Sequence, residues 1–180
     1  MRLGKNTGSY IFVCKEKEKN MELTFAPKGR IQIDDARIIY RNFAGEKSTY
    51  NREGDRNFAV VIEDQEIADA LIKEGWNVKI KPPREDGDKP FMFLPVKVSF
   101  GNRGPNVYLV SGNSITTLYE DTIARLDRVS ISSVDMDLRP YDWDVNGKTG
   151  RTAYLQNMRV RHELDRFAAE FEDDAEEDVF

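Results

Sequence analysis

The feature that most constrains this chain is a two-residue periodicity. In "WNVKIK" (76–81) Trp76, Val78 and Ile80 alternate with Asn77, Lys79 and Lys81, and in "LPVKVSF" (94–100) Leu94, Val96, Val98 and Phe100 alternate with Pro95, Lys97 and Ser99. Alternate side chains of a strand point to opposite faces, so such runs predict strands with one face buried and one wetted. Further strand-rich runs cover most of 31–161: "ARIIYRNF" (36–43), "RNFAVVIE" (56–63), "VYLV" (107–110), "VSISSVDMDLRPYDWDV" (129–145) and "RTAYLQNMRVR" (151–161). The last two flank "NGKTG" (146–150), whose Asn-Gly pair is a strong hairpin signal. A slip of the inward phase at Ser132-Ser133 predicts a β-bulge there.

Helical spacing is rarer. In "DQEIADALIKEGW" (64–76) Ile67, Ala68, Leu71 and Ile72 share a helical face, Asp64 can cap the start and Gly75 can close the end. A short helix is expected over "EDTIARLDR" (120–128), and Leu164, Phe167, Ala168 and Phe171 give an amphipathic stripe to 162–171. Many strands, one helix inserted in mid-chain and long polar loops predict a mainly β fold, a small and partly open Greek-key barrel. A β-sandwich is the competing architecture, and periodicity alone does not separate the two.

Charge is segregated along the chain. The formal net charge is −5, yet seven carboxylates and no base fall within 170–180, leaving a body of +2 over residues 1–169. An overall acidic balance therefore does not argue against a polyanionic partner. The tail has too little apolar material to offset its ordering entropy and is expected to stay unstructured. The resulting organisation is a domain over 1–161, a short helix over 162–171 and an acidic tail over 172–180. No run approaches the ~20 apolar residues of a membrane span, and the N-terminus reads without a leader; the expected setting is the cytoplasm, with no membrane partner.

Catalysis finds little support. One cysteine (Cys14) and one histidine (His162) make neither a disulfide nor a zinc site. The pairs Asp135/Asp137 and Asp142/Asp144 could chelate Mg²⁺ as in a nuclease, but no base, nucleophile or phosphate loop accompanies them. No cofactor is expected, and the chain reads as a non-enzyme.

Nucleic-acid binding fits better. Binding single strands requires cations for phosphates and rings on which bases stack. Alternation in the first strand puts Arg37, Arg41 and Phe43 on one face, the twelve-residue loop "AGEKSTYNREGD" (44–55) supplies Lys47, Tyr50 and Arg52, and the next strand opens with Arg56 and Phe58. On the late hairpin Lys148 sits in the turn, Arg151, Arg159 and Arg161 share one strand face, and Tyr154 lies nearby. Phosphates are expected on these cations and bases on Tyr50, Phe43 and Tyr154. Lys79, Lys81 and Lys97 form a second outward basic row, whereas Trp76 and Phe100 fall in inward phase and are expected in the core.

The segments "YRNFAGEKSTYNREGDRNFAVVIED" (40–64) and "VDMDLRPYDWDVNGKTGRTAYLQNMRV" (134–160) give residues 30–161 the look of a phage-type single-stranded DNA-binding protein of the OB-fold class. The tail resembles the acidic, Phe-terminated ends of bacterial and T7-type phage single-strand binders. In the bacterial family an apolar residue, Pro and Phe close the chain; here Asp178, Val179 and Phe180 stand there, so the acids and the Phe match and the Pro is missing. The resemblance implies coating of exposed DNA during replication, recombination or repair in a bacterial host cell. It also implies recruitment of polymerase, helicase or recombinase through Asp178, Val179 and Phe180. A flexible polyanion tethered near a basic groove would compete with DNA at high effective concentration. The 164–171 stripe could pack on its own barrel or on a second copy, which leaves a homodimer open. The alternative is an interaction protein that imitates DNA to occupy a host enzyme.

Overall fold

The computed structural model describes residues 20–102 and 104–164; the expected helix beyond Leu164 and the tail, with Asp178, Val179 and Phe180, lie outside the described residues. The backbone is organised by one long hairpin. Its strands are β9 (Ile131–Val145) and β10 (Lys148–His162), joined at Asn146-Gly147, where both residues take positive φ (51° and 81°). That is the type I′ geometry an Asn-Gly pair adopts at low cost, and it matches the right-handed twist of the strands.

The other strands assemble on this hairpin. β1 (Glu22–Phe25) pairs with β2 (Ile31–Ala36), and β2 pairs antiparallel with β9. On the far side β10 runs parallel to β6 (Phe91–Val98) at Ala153–Tyr154, then parallel to β7 (Asn106–Ser111) at Asn157–Arg161. β6 pairs along its length with β4 (Arg56–Ile62), β4 with β3 (Ile38–Asn42), and the first half of β6 with β5 (Lys79–Lys81). β8 (Ser114–Leu118) hairpins with β7. The path β1-β2-β9-β10-β6-β4-β3 does not close on itself, giving the mostly β, partly open OB-fold-like sheet expected of the pattern.

Inward positions agree with the alternation: Leu94, Val96 and Val98 on β6, Val134, Met136 and Leu138 on β9, Phe58, Val60 and Ile62 on β4 are all buried. Helix α1 (Gln65–Lys73) starts as read, with the Asp64 carboxylate accepting from the Glu66 amide at 2.8 Å. It ends in a Schellman arrangement: Gly75, at φ +91°, donates to the Ile72 carbonyl while Trp76 donates to that of Leu71. Ala68 and Leu71 are buried against the core, whereas Ile72, expected on the same face, is largely exposed. A 3₁₀ turn (Ile123–Asp127) stands where the second helix was expected and buries Ile123 and Leu126. "WNVKIK" is only partly a strand. Trp76 is buried as expected and makes an isolated bridge to Arg151, but only Lys79–Lys81 form a strand, and Ile80 is half exposed.

Among the described residues, four register breaks change the faces that strict alternation assigns, one of them between Ile39 and Asn42 where β3 meets β4. Ser132 is the extra residue opposite Arg161–His162, where the phase slip was read. Gln156 is extra on β10, so the buried positions shift from Ala153 and Leu155 to Met158 and Val160. A further irregularity at Asp34–Asp35 interrupts β2 against β9, with Asp35 at φ 54°. β10 also runs through His162, so the segment assigned to the C-terminal helix opens as strand.

Candidate nucleic-acid interface

The outward face of β3, β4, β6 and β10 forms the floor of an open cleft of about 1280 Å³, walled on one side by the loop between β3 and β4. The loop is not slack. Its base is pinched where Gly54 donates to the Gly45 carbonyl at 2.8 Å, and a Cβ on Gly45 would lie 3.1 Å from the Gly54 backbone. Asn51 Nδ2 donates to the carbonyls of Glu46, Arg52 and Asp55 at 2.9–3.0 Å, and its Oδ1 accepts from Asn57 at 2.7 Å. At the loop's entry the Asp127 carboxylate accepts from the Phe43 and Ala44 amides. So braced, the loop carries Lys47, Tyr50 and Arg52 at the cleft, with Tyr50 98% exposed.

Opposite the loop, rings and cations interleave. Tyr40 is 56% exposed and meets Phe93 edge-on at 5.5 Å. The Lys81 ammonium lies 5.3 Å above the Tyr40 ring and 5.5 Å above that of Phe93, and donates to the Tyr40 hydroxyl at 3.2 Å. Arg56 lies over the Phe100 ring, Lys97 projects from the floor beside its register partner Tyr154, and Arg139 lies 5.0 Å over the Tyr154 ring. Pro95, Ala59 and Asn57 complete the floor, and Glu120 adds one carboxylate to the lining.

The structure gathers Lys47, Tyr50, Arg52, Arg56 and Tyr154 of the expected set around this cleft, with Phe58 beneath its floor, and separates the rest. Phe43 and Phe58 are corrections: at 0% and 2% exposure their rings stack on each other at 5.2 Å inside the core, with no face open to a base. Arg41 does not face the cleft either; its guanidinium donates to the carbonyls of Leu126 and Val129, both at 2.7 Å, tying β3 to the 3₁₀ turn. Arg37 is exposed with Glu63 4.0 Å away, and Lys148 is exposed at the first position of β10, just past the turn; neither lines the cleft. Arg151 and Arg159 do not share a face, because the Gln156 bulge reverses the phase between them. Arg151 pairs with Asp142 at 2.6 Å and lies over the buried Trp76 ring. Arg159 is exposed on the outer face near Tyr108, and Arg161 is bound to Asp135.

Three cleft rings escaped the sequence reading. Tyr40 sits at φ 52° where β3 and β4 lose register, which turns it out of phase. Phe93 was legible, since it alternates outward with Phe91, Pro95 and Lys97. Phe100, expected in the core, is only partly buried and turns a face to the cleft beyond the end of β6.

Electrostatics divides the outer face. Towards β2 and β9 lie Glu22, Asp34, Asp35, Asp135 and Asp137; burial, followed by the charge of Asp135, raises the Asp34 carboxyl above its ordinary value. Arg161 holds Asp135, Asn157 donates to Asp137 at 2.9 Å, and Arg151 holds Asp142, so three of the four acids considered for a metal are engaged by the fold. This half repels a polyanion, whereas the half bearing Lys47, Arg52, Lys81 and Lys97 attracts one.

An open sheet with a broad, ring-lined and basic groove defines a binding module for an extended chain with flat groups and negative charge. The chain belongs to the family described as "Putative phage ssDNA-binding domain", whose model matches residues 21–178; these are binding proteins and not enzymes. Among solved structures it is similar to the single-stranded DNA-binding protein from bacteriophage Enc34 in complex with ssDNA. The identity there is 17%, with 85% of this chain and 96% of that chain covered and a TM-score of 0.52. A second structure of the Enc34 protein matches at 16% identity, covering 85% of this chain and 90% of that one, with a TM-score of 0.51. At such identities the likeness speaks to the fold. No curated protein sequence matches the chain.

Proposed function

We propose that this protein coats single-stranded DNA with little regard to sequence, in phage replication or recombination within the host cytoplasm. The carrying observation is the cleft itself: Tyr50, Tyr40, Phe93, Phe100 and Tyr154 border one groove with Lys47, Arg52, Arg56, Lys81 and Lys97 between them. Each base that stacks contributes about 1–3 kcal/mol whatever its identity, and each cation that meets a phosphate adds a salt-dependent increment. Lys148, at the end of the hairpin, and Arg159, opposite Tyr108, lie outside the groove and would meet only a strand long enough to extend past it. The family match and the likeness to an Enc34 protein bound to ssDNA support this reading.

The tail serves two roles in this proposal. Its acids compete with DNA for the basic groove, and Asp178, Val179 and Phe180 engage replication or recombination proteins. Anisotropy of labelled ssDNA, dsDNA and ssRNA at two salt concentrations tests the binding role. Tight, salt-sensitive binding of dT oligonucleotides with weaker duplex binding is expected; no binding at low salt would end the proposal. Deleting 171–180 is expected to tighten DNA binding while abolishing partner capture, and unchanged affinity would refute competition.

A further inference from the structure

The tip of the long hairpin carries aromatic surface that the cleft does not use. β9 loses its pairing with β2 after Leu138, and β10 meets β6 only from Ala153. Between these points the two strands pair with each other as a projecting ribbon, fixed to the body by a bridge between Arg151 and Trp76. Its outward positions continue the row that begins with Tyr154. Tyr141 is 55% exposed and meets the Tyr154 ring edge-on at 5.9 Å. Trp143, two residues on, is 38% exposed.

Two details show that these rings are held in place. Trp143 stands opposite Gly150, and a Cβ there would lie 2.4 Å from the indole, so the absent side chain at 150 makes room for the ring across the partner strand. On the reverse side the Arg151–Asp142 ion pair ties the two strands together, and the Arg151 guanidinium packs over Trp76. The ribbon thus presents two braced rings to solvent, contiguous with the cleft through Tyr154, with Arg139 alongside.

We propose that this ribbon is a second, separable base-stacking platform, on which Tyr141 and Trp143 take bases of single-stranded DNA that extend past the cleft. The inference rests on the ssDNA-binding reading and adds a length dependence to it. Short strands fill the cleft alone, and longer ones reach the ribbon.

The test uses the full chain and a series of dT oligonucleotides from about 4 to 16 nucleotides, the span of reported single-fold site sizes. The variant is Y141T/W143T, whose β-branched replacements keep strand propensity at exposed positions. The variant is expected to match the parent on the shortest strands and to bind longer ones less tightly, by at least about fivefold for each ring lost. Equal affinity at every length, or an equal loss on the shortest strands, would overturn the proposal. A readout free of substitution is the parent's own fluorescence. Because Trp76 is buried, quenching that sets in only as the strand lengthens is expected from Trp143, and its absence at all lengths would likewise overturn the proposal. Failure of the parent to bind any strand would instead sink the underlying reading, so the two failures are distinguishable.

Discussion

Asn51 is the residue on which the presentation of Tyr50 depends, and Asn51→Ala tests this. The Asn51 amide has two hydrogens and faces three carbonyls, those of Glu46, Arg52 and Asp55, while its oxygen accepts from Asn57. About three bonds are therefore satisfied at a time. At about 0.5–1.5 kcal/mol net each, discounted because water can reach part of the loop, their loss frees about 1–2 kcal/mol of local order. The core packing of the domain is untouched, so the thermal midpoint should fall by no more than the few degrees that about 1–2 kcal/mol allows. The loop would instead have to be ordered on binding, at a backbone cost of about 1–2 kcal/mol for each residue fixed. Affinity for a dT oligonucleotide, read by anisotropy at low salt, is expected to fall about 5- to 30-fold, comparable to the effect of Tyr50→Ala from the loss of one stacked base. In the double variant the two losses should fall well short of adding, because an unbraced loop no longer positions the ring. Full additivity, or undiminished affinity in Asn51→Ala, would refute the idea that a preformed loop contributes to binding.

Other consequences are equally specific. Lys47→Ala, Arg52→Ala and Lys97→Ala should each weaken binding to all sequences alike and lower the slope of log affinity against log salt by about 0.7, whereas Arg41→Ala should lower stability and leave that slope unchanged. Phe43→Ala or Phe58→Ala should cost about 3–5 kcal/mol in a urea melt, because each ring is fully packed. The hydrogen bond from Arg151 holds the Asp142 carboxyl below the usual range. Its contribution to stability is therefore present above the ordinary carboxylate value of about 3.9 and lost as pH falls through the lowered one, so Asp142→Asn should flatten the acid limb of thermal midpoint against pH. Asp34 behaves oppositely: burial raises its carboxyl, so its favourable contribution is lost as pH rises, and Asp34→Asn should stabilise the protein at neutral pH.

Much of the fold was legible because its local signals agree. Asp64 caps and Gly75 closes one helix, Asn146-Gly147 turns one hairpin, and the alternation in 94–98 matches burial residue by residue. The site was legible where position in a polar loop, rather than strand phase, carried the inference, as for Lys47, Tyr50 and Arg52. It was obscured where a single inserted residue or one positive φ reversed the faces. Gln156 separates Arg151 from Arg159, and the backbone at Tyr40 turns that ring outward. Phe43 and Phe58 show the converse: beside Arg41 and Arg56 they have the composition of a stacking site, yet mutual stacking in the core buries them. Sequence spacing gives a strand's period and not the places where the period breaks.

The central claim is that one face, and one half of it, takes the DNA. Photocrosslinking of a halogenated dU oligonucleotide, with adducts mapped by peptide mass spectrometry, addresses this directly. Adducts at Tyr50, Tyr154, Tyr40 and Phe93 are the expected result. Adducts confined to exposed rings away from the cleft, such as Phe25 beside the acidic half, would contradict the account.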